Sequence, residues 1–313
     1  MEGAPEWFSG NDVQKYLTYE DLIPIIEGAL ASFSQGHAGG VLQPVRMSMG
    51  IEEHKGVFLV MPAYSSKDNA LATKLVSLYP ENSAVGLPSH MGVIVLFDPV
   101  HGAPKAMMDA EVITGMRTAA ASAVATKYLA PENSKILTVI GAGVQAITHI
   151  QAIRQVCKFE EVRIWSRTFS KAQKVADEFG CVACKTIEEA VKDADVITTV
   201  TTSKTPVLNA EWVKDGAHVN CVGACVKDWQ ELDPALMKKA DVYADTKEAA
   251  LKESGDIIMS GVEVLCEIGE LVLGTKKADR NATTVFKSMG MAIEDVVSAK
   301  LVYDKKHGST SSQ

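Results

Sequence analysis

No stretch of this sequence carries the Lys/Arg block that marks a nucleic-acid-binding surface. Its 31 basic side chains stand against 39 acidic ones, a formal charge of −8 at pH 7, so no nucleic acid and instead a small molecule is the expected partner. No apolar run approaches the roughly 18–20 residues needed to cross a bilayer. The opening MEGAPEWFSG lacks the basic region followed by an apolar stretch of a secretory leader, and the expectation is a cytosolic protein with no membrane partner. Metal-binding spacings are missing as well. None of the seven histidines forms an H-E-x-x-H or comparable helical pair, and the lone C-x-x-C, Cys181 and Cys184, has no second Cys/His pair at ligand spacing. That segment reads as a short buried strand, and no metal is expected. The six cysteines lie in apolar contexts and fit reduced thiols better than a disulfide framework, which leaves the sequon at Asn281 silent.

What is present divides the 313 residues in two. From Lys135 onward the short apolar runs KILTVI, EVRIWS, CVAC, DVITTVT, AHVNCVG and DVYAD alternate with helical patterns such as VQAITHIQAIRQV, KAQKVADEF, IEEAVKDA and PALMKKA. Such alternation predicts a parallel sheet covered by helices on both faces, an α/β fold of the doubly wound Rossmann type. The earlier part gives a helix around DLIPIIEGALASF and then the strands GVFLVMPAY, ALATKLVSLY and MGVIVLFDP, separated by turns. Strands without intervening helices predict an antiparallel or mixed sheet and a second, α+β domain. An Ala-rich helix, TAAASAVATKYLA, leads into the α/β part, and GMAIEDVVSAKLVYD is an amphipathic helix that returns to the first domain. The expected division is residues 1–118 with 291–313 for the α+β domain and 119–290 for the Rossmann domain, with the polar tail GSTSSQ disordered.

Gly141, Gly143 and Ala146 form a G-x-G-x-x-A between KILTVI and a helix opening near Val144. In that setting the first glycine permits a tight turn, the second lets the backbone approach a pyrophosphate, and the third small residue lets the helix pack on the strand. The helix start offers unpaired N–H groups to the phosphates. At the end of the second strand, Ser166, Arg167 and Thr168 stand where an acid would bind the ribose hydroxyl of NAD; a guanidinium between two hydroxyls favours the 2′-phosphate of NADP(H).

Three cations lie in apolar or small-residue surroundings: Arg46, Lys74 and Arg117. Each taken singly fits an exposed position, but buried cations call for an anion, and together they suggest an anionic substrate. Asp228 falls in the loop after the strand AHVNCV, where doubly wound folds place catalytic groups and where an Asp equally starts a turn.

The segments LQPVR, VMPAYS, ALATKLV, PSH, VITGMRTAA, IGAGVQA, EVRIWSRT, GAHVNCVGA, ALKESGD and TTVFKSMG, in this order and spacing, resemble the ornithine cyclodeaminase/mu-crystallin family over nearly the whole chain. WSRT and FKSMGMAIED put the resemblance on the mu-crystallin side. It implies a homodimeric, NADPH-dependent ketimine reductase of cyclic ketimine carboxylates that also binds an iodothyronine in the cytosol. An N-terminal domain, completed by the C-terminal helix, would carry substrate and dimer contacts beside the Rossmann domain. Matching positions imply Arg46 and Lys74, with Arg117 nearby, for the substrate carboxylate, and Asp228, with Lys74, for catalysis. They imply Ser89, His90, Arg117, Thr118, Ala142, Val144, Gln145, Ser166, Arg167, Thr201, Thr202, Val222 and Ser288 for NADPH, beside the bend glycines and Thr168. Glu253 matches a hormone-associated position, and Cys225 stands where a small polar residue is common, which bears on ligand preference. Ser166 replaces a common Asn without loss of phosphate recognition.

Two other activities are compatible with these residues. One is a pure NADPH-regulated iodothyronine-binding protein, because an iodothyronine also carries a carboxylate. The other is an ornithine cyclodeaminase or amino-acid dehydrogenase of the same family; Arg167 opposes the cyclodeaminase, which typically uses NAD.

Overall fold

Alternation along the early strands decides what faces the core. In the computed structural model, which describes residues 4–308, the strand Ala70–Leu78 buries Ala70, Ala72, Lys74 and Val76 in turn. The two-residue period carries the Lys74 side chain to the same face as its apolar neighbours. The polar tail expected to be disordered lies, from position 309 on, outside the described residues.

The chain divides into two compact units, one running to Arg117 and resuming at Met291, the other spanning Thr118–Gly290. In the first, β1 (Glu6–Phe8), β2 (Val41–Leu42), β3 (Met47–Ile51), β4 (Gly56–Ser65), β5 (Ala70–Leu78), β6 (His90–Phe97) and β7 (Pro104–Asp109) form a sheet in the order β1-β7-β6-β5-β4-β2, with β3 also on β4. Among the described residues only the β1–β7 pairing of this sheet is parallel. Lys74 lies opposite Met61 of β4 and Ile94 of β6. The C-terminal helix Ala292–Lys306 packs on β4, β5, β6 and the helix Tyr19–Ser34. It is buried almost all round from Ala292 to Val302, as a core helix is.

The second unit contains β8 (Ile136–Ile140), β9 (Glu161–Trp165), β10 (Val182–Ala183), β11 (Val196–Thr199), β12 (His218–Cys221), β13 (Asp241–Ala244), β14 (Cys266–Glu267) and β15 (Thr284–Lys287). They assemble as β10-β9-β8-β11-β12-β15-β13-β14, every pairing parallel. Chain order reverses between β8 and β11, the switch point at which doubly wound sheets receive ligands. β11, β12 and β15 are buried at every position, as parallel strands covered on both faces must be. The expected fold class, a Rossmann-type sheet with an α+β part, is the one observed.

Two local expectations need correction, and one strand had not been foreseen. The Ala-rich helix begins at Ala110, not Thr118, so Arg117 is helical; the Asp109 carboxylate accepts the Glu111 N–H at 3.0 Å and starts the helix early. TTVFKSMG contains β15, inserted between β12 and β13, a strand too short and too polar at its ends to show a period. The C-x-x-C segment is an edge strand with Val182 48% exposed rather than a buried one.

Two histidines are sealed in the second unit. His149 reaches the Gln145 carbonyl at 2.6 Å and the Ser122 hydroxyl at 3.0 Å, and His218 reaches Thr284 Oγ1 at 2.9 Å and Asn220 Oδ1 at 3.2 Å. Burial pushes both pKa values down to about 4, against about 6.5 in an unfolded chain. The unfolded chain therefore binds more protons between these values, so stability is full above about pH 6.5 and falls as pH drops toward 4. Urea denaturation at about pH 7.5 and about pH 5 should show a lower midpoint in acid and up to two protons taken up on unfolding; equal midpoints would mean that the folded imidazoles are already charged.

Candidate functional site

In the first unit, Lys74 and Arg117 are 2% and 4% exposed. Charges so far from water are stable only if paired, and the C-terminal helix supplies both partners from its first turn. Asp295 Oδ2 lies 2.7 Å from Lys74 Nζ. Its Oδ1 accepts from Arg117 Nε at 3.0 Å, while Glu294 Oε2 accepts from Arg117 Nη1 at 2.7 Å and from the Met291 N–H at 3.3 Å. One aspartate thus joins the two cations. Thr114 Oγ1 lies 3.5 Å from Lys74 Nζ.

Desolvation, then the charge of Arg117, lower the Lys74 pKa to about 8 against the pull of Asp295. His90, half-buried at the start of β6, is held below its ordinary pKa by burial and then by Lys74 and Arg117. The sequence reading did not single out Glu294 or Asp295. The available signal was an acidic pair inside the apolar run AIEDVV, a position where ionised carboxylates demand cations. Arg46 is half-buried ahead of β3, Ser89 is exposed ahead of β6, and Thr118 is buried.

In the second unit the bend after β8 has the form expected for a phosphate cradle. Gly141 adopts φ +132°, and an added Cβ would meet Val200 Cγ2 at 2.8 Å and its carbonyl oxygen at 2.9 Å. Its N–H donates to the Trp165 carbonyl at 2.8 Å, tying the bend to the end of β9. At Gly143, by contrast, an added Cβ would meet nothing within 4 Å. Gly143 precedes the helix Val144–Val156, whose first turn has no side-chain cap; Val144 is 66% exposed. Among the described residues the buried Gln145 Oε1 and Ser288 Oγ lack hydrogen-bond partners, a condition that a polar ligand relieves. These features fit a dinucleotide pyrophosphate over an open helix start.

After β9, Ser166 is half-buried while Arg167 and Thr168 are exposed, and Arg167 forms no ion pair among the described residues. Thr201 and Thr202 follow β11, and Val222 follows β12, its N–H donating to the Thr199 carbonyl at 3.0 Å. Asp228 stands in the next loop with its side chain 66% exposed, 3.7 Å from Lys204. Cys225 is exposed in the same loop, and Glu253 is half-buried at the end of the helix Lys247–Glu253. The structure therefore gathers Lys74 and Arg117 into one ion cluster. It sets the bend and the loops after β9, β11 and β12 along the carboxyl ends of one sheet.

The two glycines should separate on substitution. Gly141→Ala forces both a left-handed-side φ and a backbone clash and should cost about 1–3 kcal/mol of stability, whereas Gly143→Ala should leave the thermal midpoint unchanged. Calorimetry on both variants measures this, and equal losses would refute the assigned geometry.

Residues 7–310 match the family model described as "Ornithine cyclodeaminase/mu-crystallin family". The chain is 51% identical over 307 residues to the ketimine reductase mu-crystallin of Rattus norvegicus, covering 97% of this chain and 98% of that protein. Its fold superposes with TM-score 0.91 on the Thermococcus litoralis Delta(1)-pyrroline-2-carboxylate reductase in complex with NADH and L-proline, at 39% identity and 97% and 98% coverage. An archaeal alanine dehydrogenase dimer with bound NAD gives TM-score 0.90 at 33% identity and 97% and 96% coverage. The chain belongs to the ornithine cyclodeaminase/mu-crystallin family.

Proposed function

We propose that this protein is an NADPH-dependent reductase of the C=N bond in cyclic ketimine carboxylates. The observation that carries the reading is Lys74, an ammonium sealed beside Arg117 and held by Asp295, with its proton affinity lowered by burial. An imine accepts hydride readily only once its nitrogen is protonated, and an ammonium whose pKa has dropped to about 8 is a suitable general acid near neutral pH. Relatives named ketimine reductase and Delta(1)-pyrroline-2-carboxylate reductase support the same reaction class.

When bound, the reduced nicotinamide supplies the hydride. The residues of this chain do the rest. Gly141, Ala142, Gly143, Val144 and Gln145 hold the pyrophosphate. Ser166, Arg167 and Thr168 take the 2′-phosphate, a preference that rests on these side chains alone, since the solved relatives carry NADH or NAD. Arg46, with Arg117, orients the substrate carboxylate, Lys74 gives a proton to the ring nitrogen, and Asp228 stabilises the resulting iminium. Six free thiols support a cytosolic setting. Leu42, Val45, Met47 and Met49, 48–60% exposed around β2 and β3, support a homodimer, to be checked by molar mass in solution. The carboxylate-binding cations also suit an iodothyronine, which should then compete with the imine.

The test is the loss of NADPH absorbance on adding Delta(1)-pyrroline-2-carboxylate or a six-membered ketimine, with and without iodothyronine. No oxidation of NADPH with any cyclic imine would sink the proposal. Lys74→Met should abolish turnover. Lys74 is protonated below about pH 8, so wild-type kcat should fall as pH rises through that value. Asp295→Asn removes its counter-charge and should shift this alkaline limb down by about one pH unit or more; an unmoved limb would separate Lys74 from the proton transfer. A charge-assisted bond contributes on the order of 1.5–3 kcal/mol, so Arg167→Ala should weaken NADPH binding about tenfold or more and leave NADH binding nearly unchanged.

A further inference from the structure

A second buried ionic network lies beneath the proposed cofactor loops and takes no part in the chemistry above. Cys221, Glu231, Asp256 and Lys287 are each 0% exposed. Glu231 Oε2 accepts the Thr199 hydroxyl at 2.9 Å and the Gly223 N–H at 2.7 Å. Its Oε1 accepts the N–H and the hydroxyl of Thr201 at 2.5 and 2.7 Å. One carboxylate thus ties the loop after β11 to the loop after β12. Asp256 Oδ1 fixes Glu231 in turn, accepting the N–H groups of Glu231 and Leu232 at 2.8 and 2.9 Å. Asp256 Oδ2 accepts from Cys221 Sγ at 3.1 Å and faces Lys287 Nζ at 3.4 Å.

The join has no slack. A Cβ on Gly223 would meet the Thr201 carbonyl oxygen at 1.9 Å and Glu231 Oε1 at 2.6 Å. Backbone N–H groups from two separate loops can only donate, so a side chain that merely filled this space would leave both unsatisfied. The network also takes in the end of a third strand, because Lys287 ends β15 immediately before Ser288, whose N–H donates to the Cys221 carbonyl at 3.0 Å.

We propose that Glu231 is a positioning residue for the nicotinamide nucleotide, holding Thr201, Val222 and the Asp228 loop in the one arrangement that receives it. The inference rests on the cofactor reading given above. A role confined to core stability would reduce the folded fraction without changing the affinity of what remains folded. A positioning role changes that affinity.

The experiment titrates NADPH by fluorescence into wild-type protein, Glu231→Gln, Gly223→Ala and Thr199→Val, each first checked for native circular dichroism. Glu231→Gln presents an amide hydrogen to the loop donors, and Gly223→Ala pushes the loops apart from outside. Either should raise the NADPH dissociation constant about tenfold or more and lower kcat, with the imine KM unchanged. Thr199→Val removes only the bond from the β11 hydroxyl to Glu231 and leaves the bonds to the Thr201 and Gly223 N–H groups, so it should lower the thermal midpoint with NADPH affinity within about twofold of wild type. If Glu231→Gln fails to fold, Gly223→Ala decides. Folded Glu231→Gln or Gly223→Ala with wild-type affinity overturns the inference, as does a Thr199→Val loss equal to theirs. Wild-type protein that binds no nicotinamide nucleotide overturns the cofactor reading itself and this inference with it.

Discussion

An ammonium and a guanidinium sealed from water are tolerable only where carboxylates meet them, and that requirement organises the first unit. Asp295 and Glu294 must come to Lys74 and Arg117, so the last helix of the chain is drawn onto the sheet that begins it. Removing one member of such a buried set typically costs about 3–5 kcal/mol, because the charge left behind has no solvent to turn to. The cluster is thus a constraint on the fold, and the burial that demands it, together with the charge of Arg117, is the reason Lys74 holds its proton less tightly.

The second unit solves a related problem. Its strands carry small or apolar side chains into a sheet covered on both faces, yet the loops at their carboxyl ends must present polar backbone groups in a fixed arrangement. Glu231 and Asp256 satisfy those groups, with Lys287 of β15 as the cation beside Asp256. The bend at Gly141 is fixed from above by Val200, which leaves no room for a side chain. Both units therefore place ionised side chains where hydrophobic packing would be the simpler choice. In each the ions sit beside positions to which we assign binding or proton transfer.

Much of this was legible beforehand because it rests on short-range patterns. The alternation of apolar runs and helical periods after Lys135 marks a parallel sheet, and the glycine spacing at 141 and 143 marks a strand-to-helix bend. Lys74 within ALATKLVSL was recognisable as a cation in apolar surroundings, but taken singly it fitted an exposed position, and only the structure shows that it shares the buried face of β5. β15 was not legible, because four residues between polar ends carry no period of their own. Asp295 and Glu231 escaped for a different reason: a carboxylate in sequence does not announce whether water or a distant cation will satisfy it.

The sequence by itself determined the fold class and the bend, since each depends on residues close together in the chain whose sterics and periodicity act locally; the family followed from the resemblance of motifs spread along the whole chain. Only the tertiary structure decided which ions are paired, because Lys74 and Asp295 lie 2.7 Å apart in space and at opposite ends of the chain. Their pairing follows from how the last helix packs on β5, and Coulomb attraction in a dry interior depends on separation in space, to which order along the backbone is indifferent.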